Sequence, residues 1–346
     1  MLFCSERGAG VSAILEMVVH TRLDCALGSA ALMRQAVRAA VHYCSQRRAF
    51  GSLLIAAPAM RSVLAELCVE SEAAVWMALL LARTFEDGRV GPRSSPQTAF
   101  RRLATAVAKY WVCKRAPLVV GEALECIGGK CVQESGCYFA RKLYSLLYPC
   151  SGYASEWDFE RWYRQAPLNA IWEGSSNVQA LDVLRTCARD PEALRAFFEQ
   201  LRRTRGVHPA LDAFTAHAET LAVTVTTQAD SSTAAVFARH LLEQLALALQ
   251  GHALALGVQG RPGDASDLRS VLALWCSLRL PAASAVSGAS LPFCLGAASP
   301  SQLRDAAAFA SGGAASGGNL TGREAAILDA VLERELAAIK AASVGS

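Results

Sequence analysis

Three long stretches of apolar spacing fill the first 130 residues and leave few folds open to this chain. The first runs from about Val11 to Arg47 and carries Ile14, Val18, Cys25, Leu32, Ala36 and Tyr43 on one stripe. The second, about Pro58 to Glu86, repeats Met60, Leu64, Leu67, Ser71, Ala74, Ala78 and Leu81 by threes and fours. The third, about Pro96 to Ile127, aligns Leu103, Val107, Tyr110, Val119, Ala123 and Ile127. Such spacing is helical, and strand-like alternation stands out nowhere. Helices of this length, joined by short Gly/Pro-marked turns, bury their stripes best against one another in an antiparallel bundle. The expected fold is all-α, an up-down helical bundle.

Further helices are expected at about 190–205, 209–228, 231–257 and 265–280. Pro281 to Gly318 is rich in Ala, Ser and Gly, with Ser311-Gly312-Gly313 and Ser316-Gly317-Gly318 as flexible breaks. A closing amphipathic helix, about Thr321 to Ala342, is expected to dock weakly if at all. This divides the chain into a bundle over 1–188, an additional helical region over 189–280 and a tail over 281–346. Within the bundle, 137–160 is rich in Tyr, Cys, Ser and Trp and reads as an insertion.

At 53 % apolar and 18 % charged residues, the chain is not disordered in bulk. Its net charge of +4 is too small to argue for a polyanion or a membrane surface as partner. The twelve cysteines form no Cys-x-x-Cys pair. Cys25, Cys44, Cys68, Cys113 and Cys126 sit on apolar helix faces as small hydrophobes. Cys131, Cys137 and Cys150 have no nearby His to complete a metal site, so no metal is expected. Reduced thiols imply a reducing compartment. The N-terminus lacks a signal layout. The most apolar run, Ala73 to Ala82, is shorter than the roughly 20 residues a membrane span needs. The expected location is intracellular, cytoplasmic by default, with mitochondrial or peroxisomal placement also compatible.

Two segments carry chemistry. In Ile171-Trp172-Glu173-Gly174-Ser175-Ser176-Asn177, a carboxylate precedes a glycine that can adopt angles closed to other residues, and a helix then opens with Ser175 or Ser176 as cap. That helix start favours anions. In Gln46-Arg47-Arg48-Ala49-Phe50-Gly51, arginines able to grip a diphosphate stand beside a flat aromatic ring. Alone, each is compatible with plain structural duty: an acidic residue before a cap, and two arginines meeting a helix dipole.

Together, and in this order, the segments resemble the acyl-CoA dehydrogenase family. The likeness rests on Arg47-x-x-Phe50-Gly51, then Gly128-Gly129 at a helix end, then Trp172-Glu173-Gly174-Ser175-Ser176. It extends through Thr21 to Ser29, Ala108-Lys109 with Cys113-Lys114-Arg115, Trp162 to Ser175, and Leu181 to Arg185. The match is to the C-terminal helical part, closest to the alkylation-response (AidB-type) branch, from about Arg7 to Arg185 and more loosely to Leu280. The family's N-terminal helical and middle β domains have no counterpart here. Lys130-Cys131-Val132 replaces the usual residues after the glycine pair.

The resemblance implies an FAD-dependent oxidoreductase acting on the CH–CH bond of an acyl-CoA-type thioester. Glu173 takes the place of the catalytic base, since the alternative position used by some members is Thr21 here. Arg47, Phe50, Glu125, Gly128, Gly129, Ser175 and Asn177 match FAD contacts, with Arg47 acting across a subunit boundary. Arg22 and Gly174 match substrate contacts. A homodimer or homotetramer is implied. Two other readings compete: a non-catalytic helical oligomerisation scaffold, and a DNA-associated alkylation-response protein using Arg195, Arg202, Arg203 and Arg205. The interleaved Glu192 and Glu199 weigh against nucleic acid.

Overall fold

The computed structural model describes residues 10–86, 95–128, 158–227, 229–260, 266–280 and 320–344. Ten α-helices account for most of them: α1 Gly10–Gln46, α2 Pro58–Arg83, α3 Pro96–Ile127, α4 Asp158–Gln165, α5 Ser176–Arg189, α6 Pro191–Arg202, α7 Pro209–Thr227, α8 Ser231–Gln259, α9 Ser266–Arg279 and α10 Leu320–Val344. The all-α expectation holds, with the long helices close to their expected bounds. Local chemistry sets those bounds. The Ser95 hydroxyl caps α3 by accepting from the Thr98 amide at 3.2 Å, with Pro96 at the first helical position. Asp190 caps α6 by accepting from the Ala193 amide, and Asp230 caps α8 through the Ser232 and Thr233 amides. Gly128, at φ 76°, stops α3.

α1, α2 and α3 form an up-down-up layer. Cys113 in α3 donates its thiol to the Cys25 carbonyl at 3.4 Å, and Cys44 in α1 donates to the Cys126 carbonyl at 3.6 Å. The two pairs climb together, so α1 and α3 run the same way. Arg115 meets Glu70 while Arg101 meets Thr84, so α2 runs against α3. The stripe residues Leu64, Leu67, Ala74, Ala78 and Leu81 face Leu103, Val107, Tyr110, Val119 and Ala123 inside one apolar core. Ile14 is the exception: it stands 58 % exposed, short of the turn where α1 begins to be covered.

The second set of helices packs on this layer: α6 against α3, and α8 against α5, α7, α2 and α9. By length and composition α8 could cross a membrane, yet 89 % of its most apolar stretch is buried inside the protein, as for a core helix. Trp275 of α9 packs close against α8 because Gly251 has no side chain: a Cβ there would meet Leu211 Cδ1 at 2.5 Å and Trp275 Cζ3 at 2.8 Å. A buried ionic knot ties the sets together. Arg115 Nε reaches Glu70 at 2.8 Å, and Arg279 reaches Glu70 at 2.9 Å and Glu66 at 2.7 Å, all with side chains at most 9 % exposed.

Three expectations need correction. Arg47 to Leu53 is a β-hairpin, not a helix end: β1 (Arg48–Ala49) pairs antiparallel with β2 (Ser52–Leu53) around Phe50-Gly51, both at positive φ, as the tightest hairpin turns require. The closing helix α10 docks firmly, burying Val331 and Leu332 and pairing Arg334 with Glu72, Glu335 with Arg38 and Asp329 with Arg61. Residues 158–160, read from sequence as the end of an insertion, open α4. The rest of that stretch, Gly129, Lys130-Cys131-Val132 and the Gly-rich breaks after Pro281 lie outside the described residues.

Candidate active site

A short connection between α4 and α5 carries one of the two places among the described residues where a positive-φ side chain is followed by a positive-φ glycine. After one 3-10 turn over Leu168–Ala170, the chain reaches Glu173 at φ 58° and Gly174 at φ 106°. A left-handed glutamate is uncommon, and it persists only where its surroundings hold it. Here three helices hold it. Gln179 of α5 donates its amide to the Glu173 carbonyl at 2.8 Å and to the Gly174 carbonyl at 3.3 Å. Arg22 of α1 donates from Nε to the Glu173 carbonyl at 3.3 Å while its NH1 pairs with Asp182 at 2.7 Å. Lys109 of α3 donates from Nζ to the Gly174 carbonyl at 2.5 Å. The preceding residue is pinned as well: the Trp172 indole donates to Asn169, whose own amide donates to Ser29, both at 3.0 Å.

With its backbone held, Glu173 keeps its carboxylate uncommitted. The side chain is half-buried and makes no hydrogen bond or ion pair among the described residues. Lys109 and Cys25 are its electrostatic neighbours. Burial pushes the Lys109 ammonium below its ordinary range, and Arg22 adds to that, against the opposing pull of Cys113, Cys25 and Glu173. Burial likewise pushes the Cys113 thiol up to about 12, so it packs as an inert hydrophobe. Gly174 is needed twice over, by its φ and because a Cβ would lie 2.8 Å from Gln179 Nε2 and 3.0 Å from Val178 Cγ1.

Ser175 occupies the N-cap of α5, as expected, but its side chain makes no capping bond. Ser175 and Asn177 instead line a cleft of about 490 Å³ together with Lys114, Ile171 and Arg239. The unsatisfied amides of a helix start and two cationic side chains make this cleft attractive to an anion. Arg239 is anchored through Tyr110, whose hydroxyl also donates to Glu243 at 2.7 Å.

The remaining expected site residues gather elsewhere. Arg47, Phe50, Glu125 and Gly128 lie at the far end of the bundle, where Cys44 meets Cys126. Along α1, the 25 residues from Arg22 to Arg47 span roughly 37 Å at the helical rise. The Glu173 loop and the hairpin of one chain therefore cannot face a common reacting centre. Phe50, at the hairpin tip, is fully exposed, while Arg47 is half-buried with its backbone tied to Tyr43 and Leu54. Glu125 borders a second cleft of about 610 Å³ with Glu160, Tyr163 and Arg164. Of the arginines considered for nucleic acid, Arg195 pairs with Glu192 and Arg202 with Glu219.

Sequence reasoning did not single out Lys109, Gln179 or Asp182. A signal for Lys109 was present: a lysine on the inward face of α3, one turn from Cys113 and beside Val107 and Tyr110.

With that geometry in place, similarity to known proteins is informative. The family described as acyl-CoA dehydrogenase, C-terminal domain, matches residues 8–188. A putative acyl-CoA dehydrogenase, AidB, of Escherichia coli is 38 % identical over 178 residues, 51 % of this chain and 28 % of that protein. Acyl-CoA dehydrogenase family member 11 of Caenorhabditis elegans is 28 % identical over 201 residues, 58 % of this chain and 29 % of that protein. The chain thus spans less than a third of either relative's length. Among solved structures, an acyl-CoA dehydrogenase of Bacillus anthracis complexed with FAD superposes with a TM-score of 0.65 at 13 % identity, over 96 % of this chain and 58 % of that one. Caenorhabditis elegans ACDH-11 in complex with C11-CoA gives 0.62 at 24 % identity, over 79 % of this chain and 44 % of that one. The helical architecture, the glycine-freed glutamate loop and the matched residues agree: this chain belongs to the acyl-CoA dehydrogenase family.

Proposed function

We propose that this chain supplies the base-bearing helical part of an FAD-dependent acyl-CoA dehydrogenase working as a homo-oligomer. The observation that carries the reading is Glu173 itself: a left-handed residue fixed through its backbone, with an uncommitted carboxylate whose electrostatic neighbours are Lys109 and Cys25. In the reaction, the Glu173 carboxylate takes the α proton of an acyl-CoA-type thioester as the Cα–Cβ double bond forms. The flavin, when bound, supplies the acceptor for the β hydride. A preset base needs no reorganisation at the moment of transfer, which is where a positioned carboxylate gains its rate.

The donor set fits the cofactor. Ser175 and Asn177, at a helix start flanked by Lys114 and Arg239, offer hydroxyl, amide and positive charge to a diphosphate. Arg47 and Phe50 offer a second cation and a flat ring, displayed outward on a rigid hairpin. Because the hairpin lies far from the Glu173 loop, it serves the flavin of a neighbouring subunit, next to the Glu125 and Gly128 turn. Gly174 serves the site through its φ of 106°, which turns the chain from Glu173 into α5, while its carbonyl is taken by Lys109 and Gln179. Arg22 spends two nitrogens on the loop and Asp182, so a substrate contact falls to its remaining terminal nitrogen.

Reconstitution of the purified chain with FAD tests this. The protein should become yellow, and acyl-CoA thioesters should bleach the flavin band. Glu173→Gln should keep the colour and slow the bleaching by about 10²–10⁴-fold, the usual worth of a positioned base. A colourless chain in excess FAD, or a Glu173→Gln variant that bleaches at the parent rate, would refute the proposal and leave the helical scaffold reading.

A further inference from the structure

Lys109 is a lysine where none is needed for packing. Its side chain is buried at 1 % exposure inside the three-helix layer, flanked by Cys25 and Cys113, and burial destabilises its ammonium form. A core position with these neighbours would be filled more favourably by an apolar residue. The ammonium nevertheless reaches the Gly174 carbonyl at 2.5 Å, one peptide unit beyond the carbonyl taken by Arg22 and shared with Gln179. Four donor contacts from three helices thus converge on two consecutive carbonyls. Those two carbonyls bracket the Gly174 Cα, and the first of them is bonded to the Glu173 Cα that carries the carboxylate, so fixing both holds the turn from which that side chain departs.

We propose that Lys109 is a positioning residue for Glu173: from inside the bundle it locks the Glu173–Gly174 backbone in its left-handed course and so aims the carboxylate. This rests on the reading of Glu173 as the base. It goes beyond that reading by assigning the base's orientation to a buried cation on a different helix. The physical argument is one of degrees of freedom. α5 alone, through Gln179, ties the loop to a helix that follows it in sequence and moves with it. Arg22 is divided between the loop and Asp182. Lys109 has its single described hydrogen bond on the loop, and it comes from α3, the best-buried helix of the layer. The bond is charge-assisted and shielded from water, hence stronger than a neutral one.

The test uses the full chain with Lys109→Met, which keeps the length and apolar stem of the side chain and removes the donor. Hydrogen–deuterium exchange followed by mass spectrometry reads the loop with or without flavin. The hydrogen-bonded amides that border the loop, Ile171 and Trp172 on the Leu168 carbonyl and Gln179 on the Ser175 carbonyl, should exchange about 10- to 100-fold faster, the range set by losing one buried charge-assisted bond, while α8 amides keep the parent rate. In the FAD-loaded protein, kcat for thioester oxidation should fall with the thioester KM unchanged. Should Lys109→Met fail to fold, Lys109→Gln keeps a polar group in the pocket and should show the same local pattern at smaller amplitude. Unchanged loop exchange, or acceleration spread evenly over all helices, would overturn the proposal, the latter by showing a purely structural lysine. Glu173→Gln measured alongside separates the two levels. If Glu173→Gln retains turnover while Lys109→Met loosens only the loop, the base assignment fails and the lock stands. If Glu173→Gln is inactive while Lys109→Met leaves loop and kcat untouched, the lock fails and the base stands.

Discussion

Replacing Gly174 by alanine probes the loop most directly, and the structure sets the size of the effect. At φ 106° an L side chain is strained, at a cost of about 1–3 kcal/mol for such a backbone angle. The new methyl would also lie 2.8 Å from Gln179 Nε2, so the amide that bonds both loop carbonyls must move. Losing those bonds costs about 1–2 kcal/mol more. The alanine returns about 0.4–1 kcal/mol by restricting the unfolded chain. The net loss is about 1–4.5 kcal/mol. Gly28→Ala is the matched control: it lies inside α1, where a Cβ would meet only Asn169 Nδ2 at an ordinary 3.5 Å, and it should gain about 0.5–1 kcal/mol from helix propensity. Urea unfolding of the two variants against the parent reads both signs. A loop that opens locally caps the global loss at its own opening free energy, so exchange of the bonded amides of Ile171, Trp172 and Gln179 is followed in the same samples. If Gly174→Ala leaves both the urea midpoint and the loop exchange at parent values, the left-handed course of the loop is not a real constraint and the argument built on it is wrong.

Acid should undo the knot that joins α2, α3 and α9. Burial alone would raise the Glu70 carboxyl, but Arg115 and Arg279 outweigh it and hold it at about 2, below its ordinary 4.5. A carboxyl lowered on folding stabilises above its unfolded pKa and loses that contribution as pH falls, so urea midpoints should drop between about pH 4.5 and 2. Glu70→Gln, which leaves two buried guanidiniums undercompensated, should cost about 3–5 kcal/mol at pH 7 and flatten that acid slope. Gly251→Ala should cost about 1–3 kcal/mol in thermal or urea unfolding, because Trp275 and Leu211 already fill the space and neither can retreat from the core.

The helices were legible because two independent signals coincide at their ends. The apolar period of α2 and α3 breaks where Pro58, Ser95-Pro96 and Gly128 stand, and Asp190-Pro191 and Asp230 mark α6 and α8 in the same way. The glycine after Glu173 was legible for the same reason: a carboxylate, a glycine and a cap in succession leave few local geometries. What stayed hidden is non-local or very short. Two-residue strands carry no alternation to detect, so the Phe50-Gly51 turn passed for a helix end. The docking of α10 depends on pairs such as Arg334 with Glu72, which are 262 positions apart and look like solvated surface charge until the fold joins them. The Ser175 capping bond was expected from residue type alone, and the loop geometry turns that hydroxyl to the cleft instead. Lys109 was visible only as part of a run, because a lone lysine on an apolar face does not reveal which carbonyl it meets.

The distance along α1 has an outcome in mixtures. If each reacting centre takes its glutamate from one chain and its arginine from another, a protein inactivated at residue 173 and a second inactivated at residue 47 are damaged at opposite ends of the rod. Unfolded and refolded together, they produce some pairs in which one centre inherits both lesions and the other inherits none. Two preparations with no turnover apart would then recover it on blending, as a genetic cross restores what neither parent has.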